Sequence, residues 1–598
     1  MSEVKKSKSL LFICISLILI LIGTVLSYSI DTNGGTVKIE RLKLVDKDGY
    51  TVSAVIRIPK TATSETPAPA MIVVPGGDCT ADIAAPWAIE LTRRGYVTLT
   101  MDYTGAGDTE VNMAEQYWGT NGTMHLSTGY DYLTSLDFVD QDNIGAGGHS
   151  MGSLYSYRLA LHRKVNVVVS DVIFFDDLPD YDFNFVQLTA IHDEGILSRV
   201  STYEDVYKDP LLTGLFGVDR IEPGKLYGSW ENNTARIFYE FNHTHQDDMI
   251  SPKLISRMVD CVTLAMPTGT RLDSKNLVYG WKILGLFVAI SGMVMFLFSF
   301  ASVLLKTKVF GKLVLKPGAR VGFECGKPAW WLYAVILTLI PVATFFPGTA
   351  IGNRMQSNNL FKLGTTPNGY MVWALVSAAA VLVFFAVYHF TSGRKQNGSL
   401  KSYGLATVDE QNKITLNYIL RSLVFSAVIL ASAYALLMFI FYYGKTDLHL
   451  IVLSLRPFNG ERFSTYPWYF IALIPYFFSL MLASNGLNFT KGDASEGRNL
   501  RKTVVFGSLF GIVGLTILYA VFQILLRFTP IGPFYTGNFA QFYMTLLEAV
   551  IPEFIVATGL GIYLKKKTNT IWPGMIIGAA LIAFFLVSSN CLAMIIGA

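Results

Sequence analysis

The chain has 598 residues, 52% of them hydrophobic and only 15% charged, with a mean hydropathy of +0.41. That is too apolar for an ordinary soluble enzyme and indicates a membrane protein with room for several domains. The net charge of +4 is accounted for by basic stretches between apolar runs, and no basic face interleaved with aromatics suggests nucleic acid.

In chain order, residues 10–28 form the first run able to cross a bilayer, which takes ~20 helical residues. Lys5, Lys6 and Lys8 precede it and predict a cytoplasmic N-terminus. The run is long for a signal peptide, and "TVLSYSI" lacks a small-x-small cleavage site, so residues 1–30 read as an uncleaved anchor. Residues 31–278 then form a block of ordinary polarity. Within it "YTVSAVIRIP" (50–59) alternates like a half-buried strand, and "APAMIVVPGG" (68–77) is a short apolar run closed by glycines. "APWAIELTRRG" (85–95) reads as a helix, "YVTLTMDYTGAGD" (96–108) as a strand and loop, and "YDYLTSLDF" (130–138) as a helix. Further strands end in "NIGAGGHS", "VNVVVSD", "NFVQLTAIHDEG" (184–195) and "TARIFYEFNHTHQDDM" (234–249), before a last helix "PKLISRMVDCVTLAM". This alternation predicts a mostly parallel sheet with helices on both faces.

The connection 196–233 is longer than a simple link, and Tyr203, Tyr207, Leu211, Leu212, Leu215, Phe216 and Tyr227 suit either a lid or acyl pocket, or an ordinary buried helix. Cys79 and Cys261 are the block's two cysteines, and their spacing does not dictate a bond.

From residue 279 to 598 apolar runs at 282–305, 329–350, 370–390, 417–443, 467–485, 503–526, 541–564 and 571–596 predict an all-α bundle of about eight spans. If the spans alternate, one set of loops carries Lys306, Lys308, Lys312, Lys316, Arg394, Lys395, Arg501, Lys502 and Lys565–Lys567, and the other only Arg354, Lys362, Lys445, Arg456, Arg462 and Arg527. That bias predicts a multi-pass protein of the cell membrane with block 31–278 outside the cytoplasm. The apolar stretch within 444–467 is too short to span and is expected in the interface or against the outer block. Glu548, Glu553 and Arg421 are the charges inside or near spans, where charge marks function by default.

Gly148-His149-Ser150-Met151-Gly152 matches G-x-S-x-G, the nucleophile elbow, in which the serine sits on a strained strand-to-helix turn. A glycine-rich turn is the plain alternative, but the motif follows a strand and opens a helix, as the elbow requires. On these residues the block, over about 38–268, resembles the α/β-hydrolase family of serine esterases and lipases. The resemblance implies an oxyanion hole built from the amides of Gly77, in "VVPGG", and Met151. "DYTGAGDT" (102–109) is similar to the family's D-x-R-G-x-G-x-S turn, with Thr104 in place of the arginine and Thr109 in place of the serine, and is expected to be structural.

In this family the order is serine, acid, histidine. His245 has the better offset from the last strand, with His243 as the alternative base. Asp193 approximates the family's G-x-x-D ending; Glu194 is its neighbour, and Asp171 holds the position used in lipases and platelet-activating-factor acetylhydrolases. His243, His245 and Asp247 also have the spacing of metal ligands in metallo-β-lactamase-like hydrolases. That motif belongs early in a different fold, and Asp248 replaces its last histidine, so Asp247 and Asp248 are expected at a solvated helix start. No metal or organic cofactor is implied. The expected function is acyl hydrolysis of an ester-type or lipid-like substrate through Ser150, His245 and Asp193, with membrane lipids as the surroundings. The other readings are an acyltransferase and a transport or sensing protein whose hydrolase-like domain only binds a ligand.

Overall fold

The computed structural model describes residues 2–112, 122–172, 181–197, 200, 202–319, 321–450, 452, 454–488, 496–528 and 538–593. Nine strands make one sheet: β1 (Val37–Val45), β2 (Thr51–Pro59), β3 (Ala68–Val74), β4 (Val97–Met101), β5 (Val139–His149), β6 (Val167–Asp171), β7 (Asn184–Ala190), β8 (Leu226–Tyr227) and β9 (Arg236–Phe241). Their spatial order is β1-β2-β4-β3-β5-β6-β7-β9-β8. β2 lies antiparallel to both β1 and β4, and from β4 to β9 every pairing is parallel. Two-residue β8 closes the far edge antiparallel to β9.

The two faces follow from the period of two along each strand. Ala70, Ile72 and Val74 of β3 point to one core, shared with the helices Leu126–Thr134 and Met151–His162. Met71 and Val73 point to the other, shared with Ala85–Thr92 and Pro252–Ala265. Strands covered on both sides are continuously apolar, which made them readable. β1 is the exception: "VKIERLKLV" mixes charges with its apolar residues because this edge strand is covered incompletely, and its pattern did not announce a strand. The helix expected over 130–138 runs from Leu126 to Thr134 instead, starting after His125 in a left-handed conformation, φ 71°. Cys79 and Cys261 are both buried and no disulfide joins them.

Among the described residues, eight helices are long and apolar enough to cross a membrane, from Lys8–Asp31 to Trp572–Ser589. The run expected as a single span over 503–526 is instead two helices, Leu500–Phe510 and Val513–Phe528, bent by 53°. Gly511 and Gly514 flank the break, where a helix bends at little cost. The last helix stops at Ser589 rather than 596, and the chain then turns onto the sheet domain, where Leu592 N–H donates to Gly105 O at 2.9 Å.

The loops divide into two ends. Loop 444–459 lies against the sheet domain, as Arg41 donates to Lys445 O at 3.0 Å and Thr80 to Asp447 at 2.7 Å. The basic loops gather at the other end: Lys306 reaches Ser9, Gly322 N–H reaches Gln396, Leu315 N–H reaches Thr568, and Ile571 N–H reaches Gly404. Asp31, buried between Arg57 at 2.7 Å and Lys282 at 2.5 Å, joins the first two apolar helices to β2.

Candidate active site

Ser150 sits between β5 and the helix Met151–His162 with φ 54° and ψ −121°, a region an L-residue enters only under constraint. The flanking glycines explain how it is held. A Cβ at Gly148 or Gly152 would lie 2.4 or 2.2 Å from Val74 O, so any side chain would drive the elbow away from β3. Ser150 N–H donates to Asp171 O at 2.8 Å, and Ser153 Oγ donates to the same oxygen at 2.7 Å, pinning the turn to the end of β6.

The loop after β3 packs on this elbow. A Cβ at Gly76 would lie 3.3 Å from Ser150 Cβ, which puts Gly77 beside the serine. Among the described residues neither the Gly77 nor the Met151 amide donates to another group of the protein. Asp78, next in the chain, has φ 54° and accepts from Cys591 N–H at 2.9 Å. Tyr103 Oη donates to Gly76 O at 2.9 Å.

His245 follows β9. Its Nδ1 lies 2.6 Å from Asp193 Oδ2 at the end of β7. Its backbone carbonyl is 3.0 Å from Nε2 of His149, the residue before Ser150, and the two rings are 4.5 Å apart. Among the described residues no hydrogen bond joins Ser150 Oγ to His245. Such bonds are commonly long before substrate binds. Burial presses the His245 pKa down, but the adjacent Asp193 carboxylate outweighs it and raises the imidazole above the ordinary 6.5.

The other candidates lie differently. His243 Nε2 is 2.5 Å from Asp248 Oδ1 and does not meet Asp193 in any described contact. Asp171 is fully buried and among the described residues neither carboxyl oxygen has a hydrogen-bond partner; burial and the charges of Asp248 and Asp193 push its pKa well up. Glu194 makes no described hydrogen bond to the imidazole, and its Oε1 accepts from Thr545 Oγ1; burial pushes its pKa up to about 7 against the pull of His245.

Asp248 corrects the expectation of a solvated helix start. It is 0% exposed, because it lies between His243 and His149, whose Nε2 is 3.7 Å away. Asp247 caps its own short helix through Thr244. The three groups near enough to share a cation are therefore His149, His245 and Asp248, with ligand atoms within 4.8 Å of one another, and not the set with Asp247. His149 and Asp248 carried no sequence signal, since their meeting depends on β5 and β9 being brought together.

The strand order, with β2 antiparallel to both its neighbours beside a parallel run from β4 to β9, and the elbow on β5 define an α/β-hydrolase fold. The prolyl oligopeptidase family (Peptidase S9) model matches residues 84–206, which take in Ser150 and Asp193 and stop short of His245. An uncharacterized protein of Escherichia coli (strain K12), YcjY, is 32% identical over 97 residues, 16% of this chain and 31% of the relative. The chain thus spans about a third of the length of that curated relative. Among solved structures, the α/β hydrolase GrgF from Penicillium sp. sh18 is 13% identical, covering 39% of this chain and 100% of that one, with a TM-score of 0.29. The Pyrococcus furiosus esterase Pf2001 is also 13% identical, covering 39% and 96%, with a TM-score of 0.28.

Proposed function

We propose that the protein is a membrane-integral serine hydrolase whose catalytic domain lies outside the cytoplasm. The observation that carries this reading is the Asp193–His245 pair standing beside a strained serine elbow. Ser150 Oγ attacks an acyl carbonyl while His245 Nε2 takes its proton, and Asp193 fixes the tautomer and stabilises the imidazolium. The amides of Gly77 and Met151 hold the oxyanion. His245 then gives its proton to the departing alkoxide, and water, deprotonated by the same imidazole, cleaves the acyl-enzyme to acid and free serine.

The location is supported by the arrangement of the loops. The basic loops lie at the end of the bundle away from the sheet domain, and lysine and arginine are retained in the cytoplasm. Carboxylic esters are the preferred substrates in this account. Peptide cleavage is the second reading, favoured by the match to the prolyl oligopeptidase family over 84–206. Turnover of matched aryl esters and peptide anilides by the purified full-length protein separates the two: ester turnover lost in Ser150→Ala is expected, and anilide turnover without ester turnover would reverse the assignment. Product analysis with added alcohols tests for acyl transfer.

A further inference from the structure

The loops around the candidate site meet the apolar half of the chain. Asp78 touches Cys591, Gly105 touches Leu592, His192 Nδ1 lies 3.1 Å from Leu526 O, and Glu194 touches Thr545. The last of these contacts begins a polar track. Glu194 is 4% exposed and its Oε2 has no hydrogen-bond partner among the described residues, an unsatisfied buried carboxyl oxygen that calls for a donor. Its other oxygen is held by Thr545, so the carboxyl faces the helix Asn538–Thr568.

One turn further along that helix, on the same face, stands Glu548. Its Oε2 accepts from Tyr519 Oη at 2.6 Å, and Tyr519 Oη accepts from Gln523 Nε2 at 3.0 Å. Tyr519 and Gln523 lie on the inner face of the helix Val513–Phe528, whose outer face exposes Ile517, Val521, Ile524 and Phe528. Arg527, at the end of that helix, is 3.9 Å from Asp247. A single helix thus separates lipid from a line of polar groups that leads to the residue next to Asp193. Polar and acidic side chains inside apolar spans are expensive to keep there and mark ligand pathways.

We propose that Glu194 and Glu548, with Tyr519 and Gln523, form a head-group subsite for the primary ammonium of an amphipathic ester that enters from the bilayer and presents its carbonyl to Ser150. This rests on the serine-hydrolase reading above. A primary ammonium brings the donors that Glu194 Oε2 lacks, whereas a trimethylammonium brings the charge without them. The substrate class is therefore an acyl ester of an amino alcohol, its chain lying among the helices.

The test uses full-length protein in phosphatidylglycerol vesicles and two long-chain esters that differ only in carrying a primary ammonium or a trimethylammonium group. The wild type should show a KM at least tenfold lower for the primary ammonium, and Glu548→Gln should remove that preference. Glu194→Gln serves as the second variant. A separate aliquot of each protein is labelled at Ser150 with a fluorophosphonate, which gives the amount of folded active site in the unlabelled remainder used for kinetics. Labelling and ester turnover with equal KM values for the two head groups, or a preference unchanged in both variants, overturns the subsite alone. A folded wild type that neither labels nor turns over either ester overturns the hydrolase reading and the subsite with it.

Discussion

Arg456, on the loop between two apolar helices, reaches into the sheet domain to lie 2.9 Å from Asp108 and 3.2 Å from Asp102. It is 1% exposed, and it supplies a guanidinium to the turn 102–109, in which Thr104 stands at the arginine position of the D-x-R-G-x-G-x-S pattern that the turn resembles. Asp102 also accepts from Ala81 N–H at 2.8 Å, so the pair ties the bundle to the loop that follows β3. The two halves of the chain are one packed unit at the catalytic loops.

Removing the guanidinium takes from two carboxylates, one of them fully buried, the cation that pairs with them directly and leaves the more distant Arg462. Breaking a buried pair in this way costs about 3 kcal/mol or more. Arg456→Met should therefore lower the melting temperature of the detergent-solubilised protein by several degrees and reduce ester turnover with it. A melting temperature within one degree of wild type would mean that the pair contributes little.

The two aspartates near the elbow should behave very differently. Losing the carboxylate that orients the histidine lowers turnover by a factor on the order of 10⁴, so Asp193→Asn should be crippling. Asp171 is buried without a hydrogen-bond partner among the described residues, and burial favours its neutral acid, so replacing it with the neutral amide should change turnover by less than about tenfold. Steady-state kinetics on one aryl ester decides between them, and the reverse order would move the acid to the end of β6.

The pH profile carries the same pair in its sign. His245 must be neutral to accept a proton, and Asp193 raises its pKa, so activity should climb as pH rises through a limb on the alkaline side of 6.5. In the residual activity of Asp193→Asn the limb should move toward acid. A limb that stays in place would show that Asp193 does not act on His245.

The orientation predicts accessibility. A cysteine at exposed Asn232 should react with an impermeant maleimide on intact cells, and one at exposed Lys395, on the basic end, should react only after lysis. The opposite pattern would place the hydrolase domain in the cytoplasm.

Much of the sheet was legible because strands such as β3 and β6 are short apolar runs, buried on both faces and closed by turn residues. The elbow was legible because its glycines answer to a local collision with Val74. What escaped is tertiary. β1 reads as polar because it is an edge, and Asp248 reads as a helix start because its burial depends on His149, far away in the chain. The same holds for Arg456 and Thr545, whose partners lie in the other half of the protein. The broken span was missed because hydropathy over 503–526 is continuous across the bend.

The most direct test of the account is labelling of the full-length protein in its membrane with an impermeant fluorophosphonate, in wild type, in Ser150→Ala and after treatment with a strong chelator. The account predicts a labelled band in intact cells that chelation leaves unchanged and Ser150→Ala abolishes, with aryl ester turnover following the label. Ester turnover that survives Ser150→Ala and is lost to the chelator would contradict the serine mechanism and assign the chemistry to a metal held by His149, His245 and Asp248.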